Sequence, residues 1–92
     1  MRRDIAIEIA QGALIWLSGE PDLLPVFMGS TGSGVDDIRA GARDPEFLAA
    51  VLDFVLMDDA WITRFCEAQN HPLDRPAAAR AALPGGEQVN WT

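Results

Sequence analysis

An all-α fold, a single compact bundle of five or six short helices, is predicted by three features of the sequence. Apolar residues recur with a helical period nearly everywhere, and no stretch alternates cleanly enough for a strand. The helical stretches are divided by stop signals at Ser18-Gly19, Asn70-His71-Pro72 and Pro84-Gly85-Gly86. At 92 residues the chain has material for one domain. Hydrophobic residues make up 49% of it, but 14 of them are alanine. That leaves enough volume for a core and little for the walls of a deep, dry active site. The domain is expected over residues 1–86, with 87–92, including Trp91, as a loose tail without periodicity.

Spaced at about 100° per residue, Asp4, Glu8 and Gln11 share one narrow face of a first helix. Ile5, Ile9, Ala13, Trp16 and Leu17 lie opposite, the pattern of a helix docked on a core, while Ile15 falls on the polar side. Ser18-Gly19 stops it, with glycine expected in the left-handed conformation. Glu20-Pro21-Asp22 reads as a second start. Pro25 removes a further donor, so the helix from about Leu23 to Met28 is expected to be short or kinked. Gly29 to Gly34 reads as a turn. Ser33 or Gly34 then caps a short helix to about Ala42, with Asp36 and Asp37 in its first turn.

Asp44-Pro45-Glu46 combines a capping aspartate, a first-turn proline and an early acid. The helix it opens, Phe47 to Met57, is apolar over more than half its circumference and is expected to be the central core element. Its remaining stripe carries Glu46, Ala49, Ala50, Asp53 and Met57. Asp58-Asp59 caps a fifth helix with Trp61, Ile62, Phe65 and Cys66 inward and Thr63, Arg64 and Glu67 outward. Asp74 is expected to cap an alanine-rich last helix from Arg75 to Leu83.

Fourteen acids stand against seven arginines and no lysine, a formal charge of −7. Such a surface repels phosphate backbones, so no nucleic-acid partner is expected. A helix-turn-helix reading would put Asp36 and Asp37 where a recognition helix meets DNA. No apolar run reaches the roughly 18 residues of a membrane span, and no membrane association is expected. Met1-Arg2-Arg3 resembles the start of a signal peptide, but Asp4 and Glu8 interrupt the apolar stretch, so a cytoplasmic location is expected. One cysteine, Cys66, excludes an internal disulfide framework.

Candidate chemistry is sparse. The loop Gly32-Ser33-Gly34 precedes a helix and invites a phosphate-loop reading, but Val35 and Asp36 stand where that pattern needs lysine and serine or threonine. Cys66 and His71 are too few for structural zinc, and a buried cysteine more often packs as a small hydrophobe than acts as a nucleophile. No catalytic residue, metal site or cofactor is expected. Asp53 is the one ionisable residue between Phe47 and Met57. It is either solvated, paired with an arginine such as Arg39, Arg43 or Arg64, or set to receive a partner's arginine. Ile15, Met28, Met57 and Trp91 carry weight as a contact surface only if they are contiguous.

Several blocks occur in a familiar order: Ala13-Leu14-Ile15-Trp16-Leu17, Phe27-Met28-Gly29-Ser30-Thr31-Gly32, Asp37-Ile38-Arg39, Asp44 to Phe54, and Leu83-Pro84-Gly85-Gly86. In these the chain resembles domain-of-unknown-function family 3572, short alphaproteobacterial proteins, over roughly Ile5 to Gly86. The resemblance implies no activity, substrate or cofactor.

The functional expectation is therefore a non-enzymatic module that binds another protein. Its candidate contact residues are Asp53, Met57, Ala49, Ala50 and Ile15. The alternative is a small-ligand binder or enzyme subunit using Gly32, Ser33 and Gly34, with helix-turn-helix DNA binding a distant third.

Overall fold

A computed structural model describes residues 1–85; the expected tail and Trp91 lie outside the described residues. Six helices follow in order: α1 (Arg3–Ser18), α2 (Leu24–Thr31), α3 (Val35–Gly41), α4 (Pro45–Val55), α5 (Asp59–Gln69) and α6 (Arg75–Ala81). There is no strand among the described residues. The fold is the all-α bundle that the periodicity predicts.

α1 and α4 form its centre. They pack on each other and both pack on α5 and α6, while α3 rests on α4. α4 is built for this place, burying Leu48, Ala49, Val51, Leu52, Phe54 and Val55. α1 presents Ala6, Ala10 and Ala13 beside Ile9, Leu14 and Leu17. Alanine at three inward positions lets neighbouring helix axes approach closely. The buried face is thus turned toward the alanines, and Ile5, expected inside, is 39% exposed. Alanine adds little to a hydrophobicity pattern, which is why the isoleucines misplace that face. Two glutamines tie α1 to its neighbours. Gln11 Nε2 donates to Ala42 O at 2.8 Å, and Gln69 Nε2 donates to Gly12 O at 2.9 Å.

The helix ends follow local chemistry, with several departures from expectation. Gly19 is not left-handed (φ −92°); short-range bonds from Gly19 N to Trp16 O and Glu20 N to Leu17 O, both 3.0 Å, close α1 instead. Glu20-Pro21-Asp22 forms a turn rather than a helix start, so Pro25 falls in the first turn of α2, where its missing N–H costs nothing. α2 is short, as expected, at eight residues, but runs to Thr31, three residues past the expected end. Ser30 and Thr31, read as turn residues, are helical and donate their hydroxyls to Phe27 O. The turn shrinks to Gly32, Ser33 and Gly34, with Gly32 in the left-handed region at φ +72°.

Asp44 caps α4 by accepting from Glu46 N at 3.0 Å, and Asp58 caps α5 by accepting from Ala60 N at 2.8 Å. Asp37 accepts from Gly34 N at 2.7 Å and closes the start of α3. α4 ends at Val55, leaving Leu56 and Met57 in a turn. Asn70 ends α5 in the left-handed region at φ +58°. Asp74 does not cap α6 with its side chain, contrary to expectation. Its own backbone is helical (φ −86°, ψ −7°), whereas a capping side chain reaches forward from an extended residue. α6 closes at Ala81, and Leu83 beyond it plugs the core at 1% exposure.

Candidate functional site

Asp53 sits in the last turn of α4, where its carboxylate reaches over to α6. Arg80 Nε donates to Asp53 Oδ1 at 2.6 Å, and Arg80 Nη1 donates to Pro84 O at 3.0 Å. Of the three states open to Asp53, the structure holds an internal pair, with an arginine that is none of Arg39, Arg43 and Arg64. The partner's arginine that would fix register at Asp53 thus has a counterpart inside the chain. Ala49, on the same stripe, is 3% exposed and belongs to the core, and Ala50 is half-buried. Of the stripe, Met57 stands clear at 73% exposure; Ile15 on α1 stands clear at 72%. The stripe is therefore not one free surface: Ala49 is buried and Ala50 half-buried, Asp53 is exposed but paired, and Glu46 and Met57 are open. Met28 is half-buried against the core.

The loop Gly32-Ser33-Gly34 does border a concavity. Its volume is about 390 Å³, and Thr31, Gly32, Ser33, Asp37, Asp44 and Phe47 contribute to its lining. The polar groups there have structural duties. Thr31 donates to Phe27 O at 2.7 Å, the Thr31 and Ser33 hydroxyls lie 2.9 Å apart, and each carboxylate holds a backbone N–H at a helix start. What converges on the opening is two carboxylates and a phenyl ring, a lining that favours cations over phosphate.

Cys66 and His71 do not form a nucleophile–base pair. Cys66 is buried and its Sγ donates to Pro72 O at 3.5 Å. Burial, with a smaller contribution from Asp74, pushes the thiol above its ordinary value of 9.0, which disfavours the thiolate. His71 packs its ring on Phe65 with centroids 5.4 Å apart. Burial, and then Arg75, pull it below 6.5. Among the described residues no group of three or more His, Cys, Asp or Glu is placed to hold a metal ion. No described helix is long and apolar enough to cross a membrane.

One cluster escaped sequence reasoning. Arg64, assigned to the outer face of α5, is half-buried and spans to the α1–α2 turn. Its guanidinium donates to both oxygens of Asp22 at 3.1 Å and to Glu20 Oε1 at 2.5 Å, and lies 5.9 Å above the Trp16 ring. These bonds hold the Asp22 carboxyl below its usual range and raise Arg64 further above its own. No local spacing signals a contact across 42 positions. The sequence hint was two acids flanking Pro21 with no basic residue nearby to balance them.

A family model matches residues 3–86, nearly the whole chain. The chain belongs to the DUF3572 family, described as proteins of unknown function. No curated protein and no solved structure matches it. For this DUF3572 domain the family confirms the resemblance carried by the Asp44–Phe54 block and its neighbours, and supplies fold-level kinship without chemistry.

Proposed function

We propose that this DUF3572 domain is a non-catalytic binding module whose partner is another protein. One observation carries the reading: the candidate chemical side chains Cys66, His71 and Asp53 are committed to the fold, while several large apolar side chains, Met57 and Ile15 the most exposed of them, are left to solvent. Cys66, His71 and Asp53 are respectively buried, stacked and paired. Met57 and Ile15 are 73% and 72% exposed. An exposed methionine gives an adaptable apolar contact, and truncating such an anchor is costly for binding while leaving folding untouched.

The test is an amide NMR titration of labelled protein with fractionated lysate from its source. Broadening centred on Met57 or Ile15, erased by Met57→Asp or Ile15→Asp in a folded variant, supports the reading. Broadening that ignores both substitutions counts against it.

A second reading is favoured by the concavity at Gly32 and Ser33, where Asp37, Asp44 and Phe47 converge. There the domain takes a small organic cation. Screening amines and guanidines should then shift the amides of Ser33 and Asp37 in a saturable way, with Asp37→Asn and Asp44→Asn weakening it. No saturable shift at those amides removes this reading.

A further inference from the structure

We propose that the segment from Gly19 to Gly34, which carries α2, is a detachable strap that opens as a unit over an aromatic cleft while α1, α4, α5 and α6 stay folded. The inference is independent of the function proposed above.

The first observation is how α2 is seated. Pro25, Val26, Gly29, Ser30 and Thr31 are exposed, and Phe27 is its one buried residue. Leu23, just before it, is also buried. Phe27 enters the core as a peg, edge-on to Phe47 at 5.9 Å and to Phe54 at 5.3 Å between ring centroids. Withdrawing that peg removes the ring packed against Phe47 and Phe54, while Phe54 keeps its stacking on Trp61 at 4.7 Å between centroids. Leu24 and Met28 add partly buried contacts with the core, and a helix with one fully buried anchor and a solvated outer side belongs to the low end of local stability.

The second is the latch. Among the described residues, the side-chain hydrogen bonds that join residues 20–31 to the other helices come from Arg64 alone, to Glu20 and Asp22. The hydroxyls of Ser30 and Thr31 are turned back on α2 itself. Arg64 grips the turn just before the peg, so the two attachments act on one segment.

The third is the ends. Gly19 lies where α1 stops, and Gly32 (φ +72°) and Gly34 lie where α2 gives way to α3. Backbone rotation at element ends is how a packed segment swings without melting its neighbours. Nothing stands within 4 Å of where a Cβ on Gly32 would be, so this end is not pinned by packing.

Native-state amide hydrogen exchange on the whole chain, across low urea concentrations, tests this. The amides of Phe27 to Thr31 should share one opening with one shallow urea dependence, and exchange about tenfold or more faster than Leu52 of α4. Arg64→Gln should speed these amides by about two- to fivefold, the equivalent of an exposed ion pair, leaving Leu14 and Leu52 unchanged. Asp22→Asn removes the same latch from the loop side and should give the same pattern if Arg64→Gln disturbs α5. Three results would each overturn the strap: α2 exchanging with the urea dependence of α4, exchange graded from the ends inward, or both substitutions speeding every helix alike.

Discussion

α4 and α2 meet at Phe54 and Phe27, yet they are held in place by different means. α4 buries six of its eleven residues and packs on four neighbouring helices. α2 buries one of eight and depends on a peg and a latch. Local signals are good at both: each has a proline in its first turn. Proline and caps decide where a helix starts, whereas burial of a face decides how firmly it is kept. The body around α1 and α4 is therefore the stable part, and α2, like α3 with Gly41, has a single fully buried residue.

The largest expected effect breaks or sharpens that contrast directly. Leu52→Ala should cost on the order of 2–5 kcal/mol in urea unfolding, because it opens a cavity at the centre of the body. Phe27 is the larger side chain and equally buried, so cavity arithmetic alone predicts at least as much, about 3–5 kcal/mol. A strap gives a different answer. Once α2 detaches, the body no longer feels the loss, and Phe27→Ala levels off at the free energy of opening. A smaller cost for Phe27→Ala than for Leu52→Ala, with Val26→Ala near zero, supports the contrast. The reverse order makes α2 part of the body.

Gly41 offers an intermediate test at the seam between the two regions. A Cβ there would run into the Phe47 ring, so α3 can rest on α4 only with glycine at that position. Gly41→Ala should cost about 1–3 kcal/mol through overpacking, despite alanine's better helix propensity. A neutral or stabilising result would mean that Phe47 swings aside freely and that the α3 side is as loose as α2.

Much of the body was legible in the sequence. Asp44-Pro45-Glu46 and Asp58 marked helix starts because a capping side chain, a fixed φ and a favourable dipole all act within four residues. The wide apolar arc of α4 marked a central helix. What failed was non-local or rested on weakly hydrophobic side chains. The inward face of α1 is set by Ala6 and Ala10, whose small size matters only against a neighbour. Asp53 finds Arg80 across 27 positions and Arg64 finds Asp22 across 42, distances over which no periodicity operates. The candidate surface fared unevenly for the same reason: Ile15 is open as its position on the helix wheel implies and Met57 is open in the turn after α4, but Ala49 is buried and Asp53 is paired with Arg80 of α6.

The caps give a finer comparison, between aspartates that look alike in sequence. Asp58→Ala should cost about 1 kcal/mol, since its side chain holds Ala60 N. Asp74→Ala should be within about 0.5 kcal/mol of neutral, since Asp74 makes no capping bond. Urea midpoints for the pair decide it. Equal losses would show that Asp74 caps α6 in solution and that the α5–α6 turn is tighter than its backbone indicates.

The smallest effect concerns that same turn and depends on pH. His71 has a folded pKa below 6.5, because burial against Phe65 and the charge of Arg75 both disfavour the imidazolium. Above that value both states carry a neutral ring, and the histidine contributes no pH dependence. As the pH falls through 6.5 the unfolded chain binds its proton first, so stability declines until the folded pKa is passed, and then levels off. The slope should be modest and confined to mildly acidic solution, and His71→Gln should flatten it. Because α5 and α6 belong to the body, the loss should appear in global unfolding and leave the local opening of α2 unchanged. A slope that survives His71→Gln would assign the acid sensitivity to another group. A slope seen in α2 exchange alone would place the sensitive contact on the strap side, away from His71; the Asp22–Arg64 latch keeps its charges throughout this window, because Asp22 is held below its usual range.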